Sequence, residues 1–179
     1  MNRDVVDFEL ASEIDSQAIG RPGERTFRIR VRKDAETASL WLEKQQLQAL
    51  CLAMRQLLGQ RQPEAPSGPP GLPMDRFPDA ATVEFKVGRL ALGWDEARER
   101  FVIMAQPEEP GPGEPSLFRC QVEVPQAIAF CNLSEAICAA GRPVCPLCLE
   151  PIDADRHTCV RGNGHFQGRD IPKAEAEEE

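Results

Sequence analysis

Apolar and polar residues alternate with a period of two from Phe27 to Arg32. Phe27, Ile29 and Val31 fall on one side and Arg28, Arg30 and Arg32 on the other, the pattern of a strand with one buried face. A second strand is predicted at Ala38 to Leu42. From Lys44 to Leu58 the spacing changes: Leu47, Leu50, Cys51, Met54, Leu57 and Leu58 recur at intervals of three and four among good helix formers, which predicts a helix with one apolar face. A further strand, Asp7 to Ile19, precedes the alternating one.

The same order returns further along. Thr82 to Trp94 reads as a strand, and Asp95-Glu96-Ala97-Arg98 as the turn of a hairpin. Arg98 to Ile103 answers Glu24 to Ile29, and Gln121 to Glu123 reads as the strand before a helix. Aligning Gln126 with Gln46 puts Ala127, Phe130, Cys131, Ser134, Ile137 and Cys138 on the six apolar positions of the first helix. We therefore expect an α+β fold made of an internally duplicated antiparallel strands-then-helix unit, followed by a small C-terminal zinc knuckle. The halves are 1–60 and 81–140. The run 61–80 between them holds Pro63, Pro66, Pro69, Pro70, Pro73 and Pro78 and reads as a linker, because proline removes backbone donors. The knuckle is 141–169, and 170–179 is an acidic, disordered tail. The pattern leaves open whether the halves share one sheet.

Composition narrows the function. With a net charge of -8 and a pI of 4.9, the average surface repels phosphate backbones, so nucleic acid and anionic membranes are disfavoured as partners. The first residues are charged, and nowhere do ~18 apolar residues run together. The expectation is a soluble cytoplasmic protein. The seven cysteines fit a reducing compartment, since their number is odd and three sit at metal-ligand spacing.

Those three begin after Gly141-Arg142-Pro143, which stops the second helix. Cys145-Pro146-Leu147-Cys148 can turn two thiolates toward one ion. After eight intervening residues comes His157-Thr158-Cys159, whose two donors lie on one face if the backbone is extended. Cys145, Cys148, His157 and Cys159 make a closed set of soft donors suited to a structural Zn2+. His165 competes with His157 for the fourth place. The apolar residues from Cys145 to Gly168 are few, so a bound ion would stand in for a core. A redox dithiol is the competing reading, but such a pair belongs at a helix N-terminus after a strand, whereas this one follows a helix stop.

Gly141-Arg142-Pro143, Cys145-Pro146-Leu147-Cys148, His157 to Arg161 and Gly162-Asn163-Gly164 resemble the ending of a bacterial family known as domain of unknown function 3090. Pro22 to Phe27, Leu42-Glu43-Lys44 and Ala91 to Asp95 are also similar to it, so the resemblance covers nearly the whole chain. In that family the zinc-like residues match Cys145, Cys148, His157 and Cys159, which implies His157 rather than His165. Leu149 and Val160 depart from its usual Gly and Pro, so the turns around the donors are expected to differ. The resemblance implies no activity.

Both histidines lie in the metal segment and the chain has no tyrosine, which argues against a histidine-based acid, base or triad and against an enzyme. No residue is assigned a catalytic or cofactor-binding role. Asp95 and Glu96 fit a polar turn better than a catalytic pair. The Arg28, Arg30 and Arg32 stripe reads first as a solvated sheet face and second as a phosphate grip. Cys51, Cys120, Cys131 and Cys138 read as buried hydrophobes. The leading function is a zinc-stabilised, non-catalytic protein-interaction module. One alternative is nucleic-acid binding through Arg142, Arg156, Arg161 and Arg169; the other is a zinc enzyme with an open coordination position.

Overall fold

The structure, a computed structural model, describes residues 5–21, 23–61, 77, 78, 80–141 and 147. The chain divides into two compact units, 1–140 and 141–179, and the regular elements among the described residues lie in the first. In order they are β1 (Val5–Leu10), β2 (Glu13–Ile19), β3 (Thr26–Lys33), β4 (Glu36–Leu42), α1 (Lys44–Arg61), β5 (Val83–Asp95), β6 (Arg100–Pro107), β7 (Leu117–Glu123) and α2 (Val124–Ala139).

All seven strands form one mixed sheet in the order β1-β7-β6-β5-β4-β3-β2. The fold class is α+β, but the expectation of a purely antiparallel arrangement is corrected. Within β2-β3-β4 and within β5-β6-β7 the pairing is antiparallel, as short hairpin turns dictate. The pairs β4–β5 and β1–β7 are parallel. The parallel β4–β5 pair follows from α1, which carries the chain back before the second set of strands begins.

The sheet order has a geometric consequence. β1 and β2 lie at opposite ends of the order, yet only Ala11 and Ser12 separate them. Strands spaced ~4.8 Å apart would put those ends about 29 Å from each other in a flat sheet, whereas the three steps from Leu10 to Glu13 reach at most about 11 Å. The sheet must therefore curl until its ends meet. Consecutive amides mark the crossing: Ala11 donates to the Gln121 carbonyl of β7 and Ser12 to the Arg32 carbonyl of β3, both at 2.9 Å. The single strand expected from Asp7 to Ile19 is thus broken where the chain changes partners, with Glu9 at φ 39° just before the crossing.

β5 changes partners in the same manner. Its residues 83–86 pair with β4 and residues 87–95 with β6, with a register shift between Val87 and Arg89. Gly88 sits in that shift because a Cβ there would come within 2.6 Å of the Glu108 Cα, closer than any side chain tolerates.

The apolar side of the curled sheet meets both helices. Phe27, Ile29 and Val31 lie opposite Leu42, Leu40 and Ala38, and Phe101, Ile103 and Ala105 lie opposite Val122, Cys120 and Phe118. All twelve are buried. Against them pack Leu47, Leu50, Cys51, Met54 and Leu58 of α1, and Ala127, Phe130, Cys131 and Cys138 of α2. Each helix begins with the same device. The Gln46 side-chain oxygen accepts the Glu43 amide at 2.8 Å, and that of Gln126 accepts the Glu123 amide at 3.1 Å, satisfying donors that a helix start leaves open. The amide of Gln46 then donates to the Val87 carbonyl at 3.3 Å, and that of Gln126 to the Ala11 and Ser12 carbonyls, each at 3.1 Å. Both helix starts are therefore pinned where a strand changes partners.

Candidate functional site

The four expected metal donors, Cys145, Cys148, His157 and Cys159, lie outside the described residues, as does the competitor His165. Among the described residues no cluster of three or more His, Cys, Asp or Glu side chains is arranged to hold a metal ion. The other four cysteines, Cys51, Cys120, Cys131 and Cys138, are buried free thiols, as their positions in the helix and strand patterns predict. Burial pushes the Cys120 thiol up to about 12, so at neutral pH it is an uncharged core residue.

Cys51 and Cys131 meet where α1 crosses α2. The Cys131 thiol lies 3.9 Å from the Cys51 carbonyl and 3.7 Å from the Met54 sulfur. Hydrogen bonding between the two thiols divides them: Cys131 is driven up by its bond to Cys51 and by burial, and Cys51 is held down as the acceptor. Next to them Arg55 of α1 donates to Asn132 at 2.5 Å and to Glu135 at 3.1 Å on α2. This is a helix clasp, with sulfur contacts inside and a charged bond at the rim.

The arginine stripe is occupied. On β2, Glu13, Asp15 and Gln17 stand opposite Arg32, Arg30 and Arg28. Arg30 makes two bonds to Asp15, at 2.8 and 2.5 Å, and both residues are buried. Arg28 donates to Gln17 at 2.9 Å and lies 5.1 Å over the Trp41 ring. Arg32 faces Glu13 at 3.4 Å. Phe77, just ahead of β5, lies under Arg30 at 4.6 Å and Arg32 at 5.0 Å. Arg30 is therefore buried rather than solvated, Arg28 and Arg32 are half-buried, and each guanidinium is engaged by a β2 side chain or an aromatic ring, which disfavours a phosphate grip.

Asp95 organises its turn. Its carboxylate accepts the Ala97 and Arg98 amides and the Arg98 side chain, all at 3.1 Å. Desolvation raises its pKa, but the bonds from Arg98 and Ala97 outweigh that and hold it below the usual carboxylate range. Glu96 pairs with Arg61, whose guanidinium lies 5.5 Å over the Trp94 ring. Both carboxylates serve the turn and its neighbours.

The chain matches, over residues 6–159, the family described as protein of unknown function (DUF3090). It belongs to that family. No curated protein and no solved structure matches it. The match ends on Cys159, so it takes in Cys145, Cys148, His157 and Cys159 and stops short of His165. Among the described residues no helix is long and apolar enough to cross a membrane.

The arginine commitments were hidden in the sequence because their partners sit on a strand 11 to 19 residues away. A signal existed: Glu13, Asp15 and Gln17 alternate with the same period as the arginines.

Proposed function

We propose that this member of the family is a zinc-stabilised, non-catalytic module that binds another protein. The observation that carries the reading is the donor set Cys145, Cys148, His157 and Cys159, spaced for one ion and lying inside the family match. Three thiolates and an imidazole suit zinc in a closed tetrahedral site, where the ion holds structure rather than activating water. Such sites contribute on the order of 10–16 kcal/mol of apparent binding energy. The occupied arginines and the turn-bound Asp95 agree with a scaffold rather than a reaction centre. The buried free thiols favour a reducing, cytoplasmic setting.

We read the chain as two halves, 1–60 and 81–140, joined by a Pro-rich linker at 61–80 and followed by the knuckle at 141–169 and an acidic tail at 170–179. The halves are best explained by internal duplication. Three matched features support this. Phe27↔Leu42 and Ile29↔Leu40 have the same register relation as Phe101↔Val122 and Ile103↔Cys120. Both helices start with the same Glu and Gln cap, and both glutamines reach a carbonyl at a strand crossing in the other half.

Elemental analysis of the purified chain tests the metal. One zinc per chain is expected, falling below about 0.1 in Cys145→Ser or Cys159→Ser. A pull-down from the native host, with and without chelator, tests the partner. Turnover by the purified protein, abolished by a substitution away from the four donors, would overturn the non-catalytic reading.

A further inference from the structure

Helix α2 is sealed onto β2. Ser134 of α2 and Ile14 and Ser16 of β2 are buried, the Ser16 and Ser134 hydroxyls bond at 2.8 Å, and Leu133 beside Ser134 is buried too. Helix α1 stands in the same relation to β5 but is not sealed. Ala53 lies as far beyond Gln46 as Leu133 lies beyond Gln126, and the lost side chain leaves room. A groove of about 370 Å³ opens between Ala49, Leu50 and Ala53 of α1 and residues 88–92 of β5.

One wall of the groove is a strand edge. The β4 ladder ends at Lys86, and from Val87 to Asp95 the only strand partner of β5 among the described residues is β6. In an antiparallel pair, alternate residues turn their N–H and C=O groups away from the partner. The Val87 carbonyl faces α1 in this way and is taken by Gln46. Beyond it the edge continues beside an apolar floor of half-buried Leu90 and Leu92.

What fits such a slot is set by its chemistry. An evenly spaced row of backbone donors and acceptors is matched by another extended backbone and by little else. Ala49 and Ala53 leave space for small or branched side chains. Arg89 is the charged residue lining the groove and has no ion-pair partner among the described residues, unlike the stripe on β3.

We propose that the slot between α1 and β5 receives an extended segment of a partner protein, which adds as a strand along residues 88–95 with a carboxylate against Arg89. This rests on the protein-binding reading above and gives it a surface on the body.

The probe is an acetylated, amidated hexapeptide, Thr-Val-Asp-Val-Thr-Val, titrated into the full chain and followed by backbone amide NMR. Saturable shifts confined to residues 46–53 and 88–95 are expected. Replacing its Asp with Lys weakens binding about fivefold. Ala53→Leu, which puts into α1 the leucine that α2 carries at the matched position 133, weakens it roughly tenfold. Arg89→Glu reverses the preference between the two peptides, a result that a folding defect cannot produce. Shifts elsewhere, no shifts, or binding unchanged in Ala53→Leu overturn the proposal. A host partner that Ala53→Leu still retains also overturns the slot while leaving the protein-binding reading intact. Peptide bound at the slot by a chain that retains no host partner supports the slot and fails that reading.

Discussion

The outer faces of the two halves solve the same geometric problem with opposite chemistry. In the first half, Asp15 of β2 stands opposite Arg30 of β3, and the buried pair is closed by two hydrogen bonds and a phenylalanine ring. In the second half, Ala91 of β5 stands opposite Met104 of β6. The comparison teaches that this position requires mutual fit across the strands and tolerates either charge or its absence. Half of a pair is what it should not tolerate.

The largest expected effect follows. Asp15→Ala leaves the Arg30 guanidinium buried and unpaired, and urea denaturation should show a loss of about 3–5 kcal/mol. The double variant Asp15→Ala with Arg30→Met transplants the second half's pair and should recover most of that loss. If the single variant is as stable as the parent, the two faces are not equivalent solutions.

A second comparison concerns the matched core positions Leu40 and Cys120, each buried in the last strand of its half. Leucine cannot titrate, but the Cys120 thiol is raised from 9.0 to about 12. An acid whose folded pKa is raised contributes stability in full below its unfolded pKa and loses it as pH climbs toward the folded value. The protein should therefore lose about 2 kcal/mol between pH 9 and 11 from this group. Cys120→Ala should flatten that limb in denaturation curves collected across the range, at a modest cost at neutral pH.

The smallest effect separates the two helix caps. Gln126 bonds two carbonyls at the β1–β2 crossing and Gln46 bonds one on β5. Gln126→Ala should lower stability by about 1 kcal/mol and Gln46→Ala by roughly half as much. Equal losses in thermal melts would mean that the capping bond to Glu43 or Glu123 dominates in both.

Much of the body was legible because short-range periodicity is a strong signal. β3, the core of α1 and the apolar positions of α2 stand where alternation and helical spacing put them, and the turn after Trp94 follows from its polar run. The break at Ala11 and Ser12 was not legible, because a strand that changes partners keeps its alternation. The parallel pairings depend on how far helix α1 carries the chain, which no local pattern encodes. The fate of the arginines depended on strand pairing, which composition cannot express. The donor set Cys145, Cys148, His157 and Cys159 is legible as spacing alone and lies outside the described residues, so its test is chemical.

The crossing at Ala11 and Ser12 also governs how the molecule comes into being. Val5 to Leu10 is synthesised long before Leu117 to Gln121, with which it ladders, so β1 must wait for β7. Pairings between such distant segments fold slowly, and synthesis arrested before Leu117 leaves β1 without its neighbour and the ring unshut. Completion of this body therefore comes only after β7 has been made.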